Sequence, residues 1–136
     1  MRETIGFIGG GNMAKSLAGG LIARGLAAHQ IVIADPVASQ LEALSAQLCV
    51  RTTLDNNTAA RDADVVILAV KPQDLRSVAA SLASTLQVRR PLVISIAAGI
   101  RGSDIERWLG GIPVVRAMPN RPALQNCGVT GLYAAP

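Results

Sequence analysis

Six residues near the start of the chain, Gly9-Gly10-Gly11-Asn12-Met13-Ala14, have the spacing G-x-G-x-x-A. None of them is a reactive group. Their chemistry is that of backbone N–H donors brought close to an anion. Gly9 permits a tight turn. Gly11, without a side chain, lets a pyrophosphate approach the main chain. Ala14 is small enough for a helix to pack closely on a strand. The spacing has this meaning only between a strand and a helix, and both flanks fit. Thr4–Ile8 is a short apolar run, and an amphipathic pattern extends from Asn12 to Arg24. The N-terminus of that helix offers unpaired N–H groups and a partial positive charge to phosphates. Gly9 to Ala14 therefore form a candidate dinucleotide cradle.

An acidic residue, Asp35, follows about 20 residues after Ala14. At that distance a carboxylate accepts from the adenine ribose 2′-OH and disfavours a 2′-phosphate. Asp35 before Pro36 also suits an Asx turn, and the two roles are compatible. Other candidate groups lie where apolar runs end: Val70-Lys71-Pro72, Ala97-Ala98-Gly99 and Met118-Pro119-Asn120. Small residues and prolines let a flat ligand lie on the backbone, while Lys71 and Asn120 add polar reach. Pro and Gly also simply break strands, but several such loops on one edge favour a ligand. No Ser-His-Asp set, metal cluster or paired-carboxylate site can be picked out. His29 is the one histidine, and Cys49 and Cys127 lack metal-ligand spacing. No metal is expected.

The elements that must position these groups alternate. Strands are expected at Thr4–Ile8, Gln30–Ala34, Cys49–Thr53, Val65–Val70, Pro91–Ile96, Pro113–Met118 and Gly128–Tyr133. Helices are expected at Asn12–Arg24, Val37–Leu48, Asn57–Arg61 and Asp74–Leu86, with a last one capped by Ser103 and reaching Leu109. Gly25 suits the residue that ends the first helix. Gly19 and Gly20 weaken that helix, with close packing on the sheet as the expected compensation. Glu106 stands at a capping-box position relative to Ser103. Trp108 is expected in the core, and Asp62 and Asp64 at a strand start, facing water. Val65–Val70 (VVILAV) is an unbroken apolar run, as in a central parallel strand. Strands alternating with helices make a doubly wound, mostly parallel α/β sheet, Rossmann-like, with residues 1–136 as one domain.

Composition agrees. Half of the 136 residues are apolar and only one each of Trp, Tyr and Phe occurs, so the core is aliphatic. The net charge of +4 comes from scattered basic residues without interleaved aromatics, and no nucleic-acid partner is expected. No apolar run reaches membrane length, and the N-terminus reads as strand rather than signal peptide. A cytoplasmic protein with reduced thiols and no membrane partner is the expectation.

Four segments occur in order: Gly6-Phe7-Ile8-Gly9-Gly10-Gly11-Asn12-Met13-Ala14, Ala69-Val70-Lys71-Pro72, Ser95-Ile96-Ala97-Ala98-Gly99 and Arg116-Ala117-Met118-Pro119-Asn120. Together they resemble the N-terminal domain of pyrroline-5-carboxylate reductases, the last enzymes of proline biosynthesis. The resemblance spans essentially the whole chain. It implies hydride transfer from NADPH or NADH to the C=N carbon of 1-pyrroline-5-carboxylate, giving L-proline. It also implies that Ile8, Gly9, Gly10, Gly11, Asn12 and Met13 hold the pyrophosphate and that Asp35 and Asn56 lie beside the adenosine ribose. Ala69, Val70, Lys71 and Pro72, with Ala97, Ala98 and Gly99, would line the nicotinamide side. Asn120 would lie close to the reaction centre.

There are two departures. Arg121 stands where the family usually has Thr. The family also continues into an all-helical domain that dimerises and supplies the substrate site. Residues 1–136 are not expected to include that domain. The expectation is therefore a cofactor-binding portion, inactive alone, with homo-oligomers depending on the other domain. Two alternatives stay open: the N-terminal domain of a related hydroxyacid dehydrogenase, and a non-catalytic dinucleotide-binding module.

Overall fold

The structure is a computed structural model that describes residues 3–118 and 131–134. Apolar runs become strands β1 (Ile5–Ile8), β2 (Ile31–Ala34), β3 (Arg51–Thr53), β4 (Val65–Leu68), β5 (Leu92–Ser95), β6 (Val114–Met118) and β7 (Gly131–Ala134). Amphipathic stretches become helices α1 (Asn12–Ala23), α2 (Ala38–Leu48), α3 (Asn56–Arg61), α4 (Pro72–Arg89) and α5 (Gly102–Trp108). The strands form one sheet in the order β3-β2-β1-β4-β5-β6-β7. All neighbours are parallel except β6 and β7. The order reverses between β1 and β4, which creates the crevice where doubly wound sheets bind ligands.

Alternation along β1 feeds two cores. Ile5 and Phe7 pack with Ala14, Ala18, Leu41 and Leu44 under α1 and α2. Ile8 packs on the other face with Ala59, Leu75, Leu82, Leu86 and Ile105 beneath α3, α4 and α5. Phe7, Ile8, Leu82 and Leu86 are fully buried, each contributing about 1.5–3 kcal/mol of burial. Gly6 is required because a Cβ there would lie 2.5 Å from the Ala59 carbonyl oxygen. The backbone of α3 therefore rests directly on β1.

Several boundaries differ from the sequence expectation. Pro72 opens α4 rather than breaking the chain before it; its missing N–H is one that a first helical residue leaves unpaired anyway. The same helix runs on to Arg89 and ends with Arg90 left-handed at φ 53°. Cys49 is not strand but the left-handed C-cap of α2, at φ 60°. Ser103 does not cap α5. Arg101 occupies that position without a side-chain bond, so Ser103 is already helical and Glu106 belongs to no capping box with it. The position of Gly19 does not face the sheet closely, since a Cβ there would meet Leu48 of α2 at 3.7 Å. Gly25 does end α1, at φ +112°. Trp108 is half-buried against the core, with the Arg76 guanidinium 6.0 Å from its ring centroid. Asp62 faces water, but Asp64 accepts the Thr4 N–H at 2.9 Å and pairs with Arg89. Of the run expected as strand over Gly128–Tyr133, residues 128–130 lie outside the described residues.

Candidate functional site

Hydrogen bonds just beyond the strand ends bring the candidate loops to one edge. The Gly9 N–H donates to the Ala34 carbonyl at 2.8 Å, and the Asp35 N–H to the Thr53 carbonyl at 3.2 Å. On the other side of β1, the Ala69 N–H donates to Ile8 at 2.8 Å and the Ile96 N–H to Leu68 at 3.1 Å. Gly9, Asp35, Ala69 and Ile96 thus extend one ladder across four neighbouring strands. The chain leaves the sheet just after each of them.

The three glycines of the first loop have separate reasons. Gly9 is at φ +107°, and a Cβ there would sit 2.7 Å from the Ala69 carbonyl oxygen; the turn and the neighbouring strand both demand glycine. A Cβ on Gly10 would press on Leu44, Ile33 and Asp35 at 3.0–3.3 Å. A Cβ on Gly11 would meet nothing within 4 Å. Gly11 is the N-cap of α1 at φ −75°, and no side chain caps the helix. The Gly11 backbone needs no left-handed angle, so what glycine provides is space. An open position above uncapped helix N–H groups suits a pyrophosphate. Ala14 is buried beneath, as close helix packing requires.

Asp35 is half-buried at the end of β2. One carboxylate oxygen accepts the Val37 N–H at 2.8 Å, which is the Asx turn. The other accepts the Gly10 N–H at 2.9 Å. Asn56 sits half-buried in the first turn of α3, next to Asp55. Asp55 caps that helix by accepting the Asn57 N–H, and Thr58 donates its hydroxyl to it at 2.8 Å. The Thr58 hydroxyl is the first cause holding the Asp55 carboxyl below its ordinary value, followed by the Asn57 N–H.

On the far side of β1, Ala69 and Val70 are half-buried, whereas Lys71 and Pro72 are exposed at the start of α4. Lys71 therefore stays in water in this structure. Ala97 is buried, with its N–H donating to the buried Ser95 hydroxyl at 3.3 Å. Ala98 and Gly99 are exposed, Gly99 at φ +76°. Asn120 and Arg121 lie outside the described residues. The loops after β1, β2, β4 and β5 thus share one edge, with Asn56 at the β3 corner.

One contributor was not anticipated. Gln40, in the first turn of α2, donates its side-chain amide to the Gly10 carbonyl. With Lys15, Ala43, Leu44 and Gln47 it lines a cleft of about 340 Å³ beside the glycine loop. A polar residue on a helix carries no spacing signal, and only its proximity to Asp35 in sequence could have drawn attention to it.

Residues 4–99 match the protein family described as NADP oxidoreductase, coenzyme F420-dependent. The chain belongs to this family. Among individual relatives, it is 49% identical over 131 residues to the pyrroline-5-carboxylate reductase of Pseudomonas aeruginosa, covering 96% of this chain and 48% of that protein. A solved pyrroline-5-carboxylate reductase from Coxiella burnetii superposes with a TM-score of 0.95 at 42% identity, over 99% of this chain and 50% of the other. The Plasmodium falciparum pyrroline carboxylate reductase, solved with NADP bound, shares the fold with a TM-score of 0.83 at 24% identity, over 98% of this chain and 48% of that one. The chain spans about half the length of the curated relatives it matches. Among the described residues, no helix is long and apolar enough to cross a membrane.

Proposed function

We propose that residues 1–136 form one domain, the dinucleotide-binding portion of a cytoplasmic enzyme that reduces 1-pyrroline-5-carboxylate to L-proline. The observation that carries this reading is the 49% identity to a pyrroline-5-carboxylate reductase across 96% of the chain. The site's geometry supports its cofactor half. An uncapped α1 N-terminus beneath an open Gly11 position suits a pyrophosphate. The cofactor, NADP(H) or NAD(H), would supply a hydride to the C=N carbon of the cyclic iminium. Ile8 to Met13 hold the pyrophosphate. Asp35 and Asn56 border the adenosine ribose, while Ala69 to Pro72 and Ala97 to Gly99 form one wall of the nicotinamide site. The family resemblance adds Asn120 as a residue close to the reaction centre.

The chain's own contribution is orientation: a fixed loop and a wall that presents one ring face. The substrate is held by the part of the relatives beyond this chain's match, where the homo-oligomer is also assembled. Bringing two rings within about 3–3.5 Å supplies roughly 7–11 kcal/mol in well-aligned systems, and this chain holds one ring only. Calorimetric titration of the chain with NADPH and NADH should show weak binding of at least one. Silence with both at millimolar concentration would refute the cofactor reading. Spectrophotometric assay of NADPH oxidation should show turnover by the whole reading-frame product and none by residues 1–136. Equal turnover by both would place the substrate site within this chain.

A further inference from the structure

The glycine loop is gripped on both sides of Gly10. Asp35 accepts the Gly10 N–H at 2.9 Å, while Gln40 donates to the Gly10 carbonyl from α2. The carbonyl matters more for a ligand, because it shares a peptide plane with the Gly11 N–H. No described peptide is cis, and in a planar trans peptide the N–H points opposite to the C=O. A carbonyl drawn toward Gln40 on α2 therefore turns the Gly11 N–H away from α2. A Cβ at Gly11 would find only empty space within 4 Å, so room for a ligand exists at that residue.

We propose that Gln40 is a positioning residue that aims the Gly11 N–H at the cofactor pyrophosphate, with Asp35 steadying the preceding peptide. The proposal rests on the dinucleotide reading above and adds to it a residue outside the glycine motif. It has a distinctive consequence. A residue that contacts the ribose end changes the preference between the two cofactors. A residue that aims a pyrophosphate donor changes both affinities together, because the pyrophosphate is common to both.

The test compares the 136-residue chain with Gln40→Met and Gln40→Glu, using NADP+ and NAD+ as probes. Met keeps the length and helix propensity of Gln but has no donor. Both dissociation constants should rise by about three- to tenfold, the size of one lost hydrogen bond, with their ratio unchanged. A glutamate carboxylate would repel the carbonyl, so Gln40→Glu should bind still more weakly at pH 7. It should recover as pH falls toward about 4.3, where a protonated acid can donate again. Gln40→Met should show no such recovery relative to the parent.

Circular dichroism confirms that each variant is folded before titration. Unchanged affinities in both variants, or weakening confined to one cofactor, would overturn the proposal. If the parent chain binds neither probe, the dinucleotide reading fails, and the Gly11 amide resonance of the free protein decides the remainder. A displaced resonance in Gln40→Met upholds the Gln40 contact; an unmoved one refutes it.

Discussion

The two ends of the sheet treat their polar groups in opposite ways. At the amino ends they are paired within the chain. The Thr4 N–H donates to the Asp64 carboxylate at 2.9 Å, and the Thr4 carbonyl accepts the Asp64 N–H at 2.8 Å. Arg89 at the end of α4 donates to the Asp62 carbonyl at 2.8 Å and pairs with Asp64. Gln30 donates to the Glu3 carbonyl at 3.0 Å. At the carboxyl ends, among the described residues, the side-chain contacts to backbone distant in sequence converge on Gly10, while Asp35 and Ser95 also hold N–H groups of their own loops. The α1 N-terminus is uncapped, Gly11 is open, and Ala98, Gly99 and Lys71 face water. One end closes the fold, and the other holds a shaped loop with donors to spare. Substitutions at the two ends should therefore separate stability from binding.

The largest effect is expected within the glycine loop itself, where two residues apart in sequence belong to the two different regimes. Gly9→Ala puts a Cβ 2.7 Å from a backbone oxygen at φ +107°. Neither neighbour can yield without breaking the β1–β4 ladder. Overpacking and backbone strain each cost about 1–3 kcal/mol, so the thermal midpoint should fall by many degrees and cofactor binding should vanish with it. An unshifted midpoint would mean that the turn relaxes freely and that the ladder does not fix it.

Next in size is Gly11→Val. Its side chain enters open space at an ordinary φ of −75°, so stability should change by less than about 1 kcal/mol. Binding should be abolished, because the branched side chain occupies the pyrophosphate position. Circular dichroism with parallel titration of NADPH and NADH reads both. Retained affinity would show that the phosphates do not rest on this turn. Loss of fold would erase the contrast with Gly9.

These two positions also show what the sequence could reveal. The strand–glycine loop–helix order was legible because its constraint is local: the residue types at 9, 11 and 14 must be small wherever this turn occurs. The alternation of apolar runs likewise announced every element of the sheet through β6. Less legible were features decided by neighbours distant in sequence. Gln40 reaches a glycine 30 residues away. Asp64 reads as a solvent-facing strand flank, yet it clasps Thr4 and Arg89. Arg101, with no capping side chain, displaces the expected Ser103 because tertiary packing of Gly102 and Ile105, both buried, fixes where α5 begins. The start of α4 at Pro72 rather than Asp74 has a simpler reason: the ring that breaks a helix interior starts a helix well.

A smaller effect is expected from Asp35→Ser, and it sharpens the division inside the site. The carboxylate holds Gly10 and Val37, so its removal should weaken both cofactors. If it also accepts the ribose 2′-OH, NADH should suffer more. NADPH should in addition be relieved of repulsion between two charges, roughly 4 kcal/mol at about 4 Å and an effective dielectric near 20 before rearrangement and salt. The expected result is a weaker NADH affinity with the NADPH-to-NADH preference raised. A preference that stays fixed while both affinities fall would confine Asp35 to holding the loop.

The smallest effect belongs to the closed end and is a matter of pH. The Thr4 N–H, with the Arg89 side chain as a lesser partner, holds the Asp64 carboxyl below its ordinary value of 3.8. A carboxyl depressed on folding adds stability that is fully present above its unfolded value. That stability is lost as pH falls through the lower folded value, because the protonated acid no longer rewards the folded state. Asp55 is depressed as well, by Thr58 and Asn57, so the acid limb of the parent contains both groups. Comparison with Asp64→Asn isolates one of them. The parent should exceed the variant in thermal midpoint by a constant margin from neutral pH down to about pH 5, and the margin should shrink below pH 3.8. Cofactor affinity at neutral pH should be the same in both, since the clasp lies at the end of the sheet away from the glycine loop. A variant that loses affinity without losing stability would break the separation between the two ends.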